Sequence, residues 1–371
     1  MMKPRELGRQ VLQDIRGFGF KQWFLVCLNV VLVLASLASW LGLRYVSGAS
    51  GSISAAERFR GDSETRFAQL ACYLPVGQGK TVEDIYNFRQ SLETRFVEES
   101  LEAPEGGKLY LDAYSGQAEV TVSAENGSAT VDAIGVGGDF FYFHPLPLRS
   151  GSYISEDDLM DDLVVLDEEM AWRLFGGVDL TGMSMTIGGK PFVVAGVVAR
   201  EDDFATRRAY DGEGGIFLSF SALQELVEDA SISCYEIVMP DPISGYAKNI
   251  MTDSFPVEDG DVVENSSRYS LENLLAVIGS FGERSMRTNG VIYPYWENAL
   301  RLTEDYAAAL LALTVLFALC PLTFAVVIVI KYIRRGYRYV KKAVPERVEA
   351  AVEEHREQRL EKEYEKNAGG E

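Results

Sequence analysis

Leu163–Val198 reads LVVLDEEMAWRLFGGVDLTGMSMTIGGKPFVVAGVV. Leu163–Asp167 is a short, β-branched apolar run of strand composition. Glu168–Phe175 has the spacing of a short helix, stopped by Gly176-Gly177. Ser184–Ile187 and Phe192–Val198 are strand runs on either side of Gly188-Gly189-Lys190-Pro191, which marks a hairpin. The stretch therefore predicts a β-rich unit of short elements. Downstream, Gly215–Phe220 continues it as a strand and Ser221–Glu228 as a capped helix.

Upstream of this unit the pattern changes. Ser47–Ser54 is rich in Gly and Ser, and Glu57 to about Gln69 alternates at helical spacing. Ala68–Val76 predicts a strand ending at Gly77-Gln78-Gly79. Thr81 is a helix cap with Asp84 three residues on, and Val82, Ile85, Phe88, Leu92 and Phe96 follow at helical spacing, so Val82–Leu101 predicts a helix. Strands are predicted at Lys108–Tyr114, Ala118–Ala124 and Ala129–Val136, the last two joined through Asn126-Gly127. Downstream come a strand at Ile232–Met239, a helix at Ile243–Phe255, a strand at Asp261–Ser266 and a mostly helical run over Tyr269–Leu302. A unit inserted between two α+β halves is the simplest organisation.

Two uncharged runs bracket all of this. Trp23–Leu43 and Tyr306–Ile330 carry no charged residue and exceed the roughly 20 apolar residues that cross hydrocarbon as a helix. Trp23, Trp40 and Tyr45 sit near the ends of the first, and Tyr306, Tyr332, Tyr337 and Tyr339 near those of the second, where amphipathic rings favour the interface. Pro321 is expected to kink the second run. The polar lead of 22 residues and the long apolar core fit an uncleaved anchor better than a signal peptide.

Charge assigns the sides. Residues 1–22 carry Lys3, Arg5, Arg9, Arg16 and Lys21 against Glu6 and Asp14, and residues 331–342 carry six bases and no acid. Basic flanks mark the cytoplasmic face. Both termini are then cytoplasmic, and residues 47–305, with 44 acids and 18 bases, are extracytoplasmic in a two-pass cell-membrane protein. The net charge of −20 is thus an acidic outside domain on basic inner flanks, which argues against nucleic acid as a partner. Leu7, Val11, Ile15 and Phe18 recur at helical spacing among bases, as in a segment lying on the inner membrane surface.

No chemistry-bearing constellation emerges. Gly77-Gln78-Gly79-Lys80-Thr81 lacks the first glycine of a phosphate-binding loop, whose place is taken by Leu74. His144 has no cysteine cluster around it. Glu156, Asp157, Asp158, Asp161 and Asp162 lack calcium-loop spacing and its glycine. The sequence points to no enzyme, no catalytic or metal-binding residue and no cofactor. Cys27 and Cys320 fall in the spans. Cys72 and Cys234 lie outside in predicted strands, and an extracytoplasmic pair permits a disulfide that spacing alone does not decide.

The middle of the chain resembles the extracytoplasmic core domain of MacB-type permeases of ABC transporters, within the FtsX-like group. The residues that carry the likeness are Gly138-Asp139-Phe140-Phe141 through Pro145, Leu148-Arg149-Ser150-Gly151, Val164–Asp167, Ala171, and Arg173-Leu174-Phe175-Gly176. Asp179-Leu180-Thr181-Gly182, Met185–Gly189 and Phe192–Val197 complete them. The likeness is strong over roughly 60 residues and looser in the flanking halves and the first span. It implies an α+β fold: an extracytoplasmic MacB-like core domain, built as a split α+β subdomain with an inserted β-rich subdomain, between two transmembrane helices. It also implies mechanotransmission, in which a cytoplasmic ATPase moves the outside domain through stalk helices. Implied partners are an ABC ATPase subunit, a full permease or both, a homo- or hetero-dimer, and the lipid bilayer. The family has two further spans after the second. Here Pro345 and a charged helical stretch through Lys366 follow instead, which favours an accessory or half-permease subunit.

The expected organisation is a cytoplasmic lead at 1–22, a first transmembrane helix at 23–44 and a first α+β part at 45–137. An inserted β-rich subdomain at 138–230 and a second α+β part with the stalk helix at 231–305 follow. A second transmembrane helix at 306–330 and a cytoplasmic charged helical tail at 331–371 complete the chain. The competing function class is a membrane-anchored extracytoplasmic binding or scaffold protein, such as a sensor or a recruiter of cell-wall enzymes, that does not itself transport.

Overall fold

The computed structural model describes residues 19–48, 51–101, 103, 107–209, 215–255, 260–281, 284 and 290–368. The amphipathic lead expected around Leu7–Phe18 lies outside the described residues. The chain forms two compact units, one of residues 42–310 and one of residues 1–41 with 311–371.

In chain order the helices are α1 Phe20–Ser47, α2 Ala55–Arg60, α3 Val82–Glu98, α4 Phe140–Phe143, α5 Glu168–Phe175, α6 Thr206–Ala209, α7 Phe220–Leu226, α8 Tyr246–Ser254, α9 Leu271–Ser280 and α10 Tyr295–Ala368. The strands are β1 Phe67–Tyr73, β2 Leu111–Ala124, β3 Gly127–Gly138, β4 Leu148–Gly151, β5 Leu163–Asp167, β6 Ser184–Ile187, β7 Lys190–Val198, β8 Ile216–Ser219, β9 Cys234–Pro240 and β10 Asp261–Glu264.

Local chemistry explains the helix ends. The Thr81 hydroxyl accepts from the Asp84 N–H, and the Asp84 carboxylate accepts the Thr81 N–H at 2.8 Å, a complete capping box for α3. Asp167 accepts the Met170 N–H at 2.7 Å to start α5, and Gly176 ends it in the left-handed conformation. Burial raises the Asp167 carboxyl above its ordinary value, against the pull of the Met170 N–H, Arg200 and the Gly215 N–H.

The strands form one sheet in the order β10-β1-β9-β2-β3-β8-β5-β7-β4, with β6 pairing both β2 and β7. Those pairings divide the work. β10, β1, β9 and the first half of β2 make an antiparallel layer. One face of it buries Ile85, Phe88, Leu92 and Phe96 of α3 with Ile250 and Met251 of α8. The other buries Ala55 and Ala56 of α2, Phe140 and Phe143 of α4, and Trp296 of α10. The second half of β2, with β3, β8, β5, β7 and β6, runs round to β2 again and closes a six-stranded barrel. Val122, Val131, Val164, Leu166, Ile187, Val194 and Leu218 belong to its core. β3–β8 and β5–β7 are parallel, and the rest of the ring is antiparallel.

Three expectations change. Lys108–Tyr114 and Ala118–Ala124, predicted as separate strands, belong to the single strand β2 from Leu111. Ser115-Gly116-Gln117 reads as a turn, yet the ladder to β3 runs straight through it. Glycine is needed there for closeness: a Cβ at Gly116 would lie 2.4 Å from the Ser231 carbonyl oxygen. The helical run predicted over Tyr269–Leu302 is broken. α9 ends at Ser280, Val291 pairs with Pro75, and α10 starts at Tyr295 after Pro294.

The third change concerns the cysteines. Cys72 and Cys234 are free and buried, so the candidate disulfide is absent. In the β1–β9 register Cys72 faces Tyr235 and Tyr73 faces Cys234. Neighbouring residues of a strand point to opposite faces, so the two thiols lie on opposite sides of the sheet, Cys72 among the α3 side chains and Cys234 among those of α4 and Trp296. Burial pushes the Cys72 thiol up to about 12 and the Cys234 thiol well above its ordinary value, the latter helped by Glu236.

In the other unit, the apolar parts of α1 and α10 leave their large side chains exposed, among them Phe24, Val31, Leu34, Leu316, Leu322 and Val327. Both are long and apolar enough to cross a membrane. The Ser36 hydroxyl donates to the Thr314 carbonyl at 3.0 Å, and Asn29 Nδ2 donates within its own helix to the Leu25 carbonyl. Such pairings satisfy polar groups that hydrocarbon would otherwise leave bare. Pro321 lies inside α10 without ending it.

Candidate functional site, an ion-pair cluster at the start of the last helix

The first turns of α10 carry Glu297, Arg301 and Glu304, spaced to share one helix face. Facing them is Arg268, on the turn that follows β10. Arg268 Nη2 lies 2.6 Å from Glu297 and its Nη1 3.0 Å from Glu304. Arg301 Nε donates to the other Glu297 oxygen at 3.2 Å, and the Tyr73 hydroxyl of β1 donates to Glu297 at 3.0 Å. Glu297 is thus held by three donors from three elements.

The cluster extends outward. Arg284 pairs with Glu304 and, at 2.9 Å, with Asp305. The Arg301 guanidinium lies 4.0 Å from the centroid of the Tyr293 ring, and the Tyr293 hydroxyl donates to Asp261 of β10. Tyr73 and Tyr293 meet edge to face at 5.3 Å. Burial opposes the Arg268 charge, but Glu297 and Glu304 more than offset it, so its pKa rises further. Burial raises the Glu297 carboxyl, against the pull of Arg268, and pushes the Tyr73 hydroxyl well above its ordinary value.

Beside this cluster sits a second buried pair. His144 Nε2 is 2.5 Å from Glu236, and both side chains are buried. The imidazole is flanked by the Phe140 and Trp296 rings, each at 4.6 Å. Trp296 precedes Glu297, so the same turn of α10 is gripped by an aromatic cage and by ions. The chemistry of the arrangement is that of a joint, in which satisfied charges fix one register of a helix against a sheet.

A cleft of about 640 Å3 lies elsewhere in the domain, lined by Arg89 and Phe96 of α3, Lys108, Tyr110, Asp112 and Glu156, among others. Arg89 Nε donates to Asp112 at 2.7 Å and its Nη2 to Glu156 at 3.2 Å; the Tyr235 hydroxyl also donates to Asp112, at 2.9 Å.

Residues 53–251 match the MacB-like periplasmic core domain family. The chain belongs to that family. The fold is accordingly α+β, a MacB-like core domain flanked in sequence by two apolar helices. The macrolide export ATP-binding/permease protein MacB of Chromobacterium violaceum is 32% identical over 100 residues, which are 26% of this chain and 16% of that one. The chain therefore spans only a small part of that relative's length. Among solved structures, the periplasmic region of MacB from Actinobacillus actinomycetemcomitans is similar with a TM-score of 0.40 and 17% identity, over 59% of this chain and 98% of that one. The extracellular domain of the noncanonic ABC-type transporter YknZ from Gram-positive bacteria gives 0.36 and 16%, over 53% and 100%.

Of the residues that sequence singled out, His144 and Cys234 lie in the core beside the α10 cluster of this MacB-like domain, and Cys72 does not. Cys72 and Cys234 are core residues on separate faces. Within the acidic stretch, Asp161 accepts from Ser219 and Ser221, and Asp158 accepts the Ser155 N–H. No group of three or more His, Cys, Asp or Glu suited to a metal ion occurs among the described residues. Sequence reasoning missed Arg268, Arg284 and Glu236, because their partners are 29, 20 and 92 residues away. The available signal was Glu297, Arg301 and Glu304 on one face of a helix just before an uncharged run.

Proposed function

We propose that this protein is a two-pass membrane subunit of a MacB-like transporter system, with both termini cytoplasmic and the core domain outside. It passes motion between a cytoplasmic ATPase and the outside domain through α10. The observation that carries the proposal is the buried Arg268–Glu297–Glu304 cluster at the start of a helix that continues into an uncharged run of spanning length. A helix fixed in one register by desolvated charges moves with the sheet it is fixed to. The family supports this reading, because its relative in Chromobacterium violaceum is by name both ATP-binding and permease. The partners proposed for this chain are an ABC ATPase, a full permease or both.

The test is purification of the full chain from its native membranes in mild detergent. An ATPase subunit co-purifies, and Arg268→Met with Glu297→Leu, which removes the ion pair from both sides, lowers the stimulated part of the ATPase rate while leaving the complex intact. Recovery of the chain alone across several detergents would overturn the proposal. A second reading, a membrane-anchored binding protein that does not transport, draws support from the 640 Å3 cleft. It is favoured if the full chain retains an extracytoplasmic partner with no ATPase present.

A further inference from the structure

α9 has two apolar stripes, and the domain uses one. Leu274 and Val277 are buried against it. Leu271, Leu275 and Phe281 are 63%, 54% and 44% exposed, with Ile278 half-buried between them. Positions 271, 275 and 278 fall within about 60° of one another around the helix and form one stripe beside the buried one, and Phe281, just past the helix, is exposed as well. Glu272, Asn273 and Ser280 occupy the remaining side, and Glu272 is exposed. A short helix that is apolar over more of its surface than its own domain covers needs a second apolar neighbour.

One contact ties the segment just after α9 to the start of the uncharged run. Arg284, four residues beyond α9, is paired with Glu304 and Asp305. These are the last charged residues before the uncharged run that begins at Tyr306. From another part of the chain, Phe204 packs edge-on against Tyr306 at 4.8 Å. Arg208 lies 4.7 Å from the Phe204 centroid and donates to the Tyr306 hydroxyl at 3.2 Å. Rings and guanidiniums side by side at the start of a span are the composition of a headgroup layer.

We propose that α9 is an interfacial helix, with Leu271, Leu275, Ile278 and Phe281 lying in the acyl–headgroup boundary of the outer face of the membrane. The occupant is phospholipid. A second copy of the chain would cover the stripe as well, but it would not account for the rings and guanidiniums gathered at the start of the uncharged run, to which Arg284 ties the end of α9. The helix is about 15 Å long, enough to lie in that layer with its polar side toward water. Its role is to hold the domain's base at the bilayer surface beside α10. The proposal rests on α10 crossing the membrane, as read above.

The test is photo-crosslinking in the full chain, in native-lipid nanodiscs, with p-benzoylphenylalanine placed singly at Leu275, Phe281, Glu272 and Val315. Leu275→p-benzoylphenylalanine and Phe281→p-benzoylphenylalanine are expected to give lipid adducts by mass spectrometry, at about five-fold or more over Glu272→p-benzoylphenylalanine. Equal yields at Leu275 and Glu272, or no lipid at Leu275, would overturn the proposal, as would a cross-link to a second copy. Val315, in the uncharged run, separates the two readings. Lipid adducts there with none at Leu275 defeat only the interfacial helix; their absence at Val315 defeats the membrane reading and this proposal with it.

Discussion

Arg268 and Glu297 lie 2.6 Å apart, and each side chain is 1% exposed. Arg268 comes from the turn after β10 and Glu297 from the first turn of α10, so the pair ties the helix to the sheet. Removing one partner leaves a desolvated charge, at a cost of about 3–5 kcal/mol. Arg268→Met should therefore destabilise the protein by that order. Arg268→Met with Glu297→Leu should recover most of the loss, because two apolar groups of similar volume pack without unpaired charge. Urea unfolding of the full chain in detergent checks it; a double variant no more stable than the single would contradict it.

The thiol count should be the same with and without reductant. Cys72 and Cys234 lie on opposite faces of paired strands, so no side-chain rotation joins them. Both thiol pKa values are raised by burial, so at pH 8 they should resist alkylation until the protein is unfolded. Mass spectrometry after iodoacetamide, native and in denaturant, reads both outcomes.

The capping box of α3 should make its first turn sensitive to acid. Hydrogen bonds from the Thr81 N–H and hydroxyl hold the Asp84 carboxyl below its ordinary value. A depressed folded pKa contributes stability that is present above the unfolded value and lost as pH falls through the folded one. Protection of the Asp84 and Ile85 amides, as exchange relative to the intrinsic rate at each pH, should fall on acidification below about pH 4, and Asp84→Asn should abolish that dependence. Thr81→Ala should cost about 1 kcal/mol at neutral pH.

Gly151→Ala should be among the most damaging single-methyl additions. Gly151 has φ +71°, and a Cβ there would lie 2.0 Å from the Ala195 carbonyl oxygen. Left-handed strain alone costs about 1–3 kcal/mol, and the clash with β7 backbone adds to it. Gly189→Ala, at φ +84° with nothing within 4 Å, isolates the strain from the clash. A thermal midpoint lowered equally by both substitutions would count against this account.

The fold was legible where its signals are local. The α3 cap and the β6–β7 hairpin lie within a few residues of their determinants, and the uncharged runs need only length. Barrel closure was not legible. Val122 pairs with Ile187 and Ser123 with Thr186 across more than 60 residues, and nothing in either strand names its partner. Gly116 reads as a break within β2 because glycine marks turns more often than close approaches. The α10 cluster was hidden because Arg268, Tyr73 and Glu297 come from segments that only tertiary structure brings together. Charged residues in an acidic chain read as solvated surface unless burial is known.

β2 belongs at once to the open layer, through β9, and to the closed barrel, through β3 and β6. The barrel is consequently joined to the layer through an unbroken strand. A displacement of one relative to the other has to bend or twist a continuous hairpin, stretching its ladder by small amounts spread over many residues. Strain placed on such a strand is shared along its ladder and is not confined to one joint.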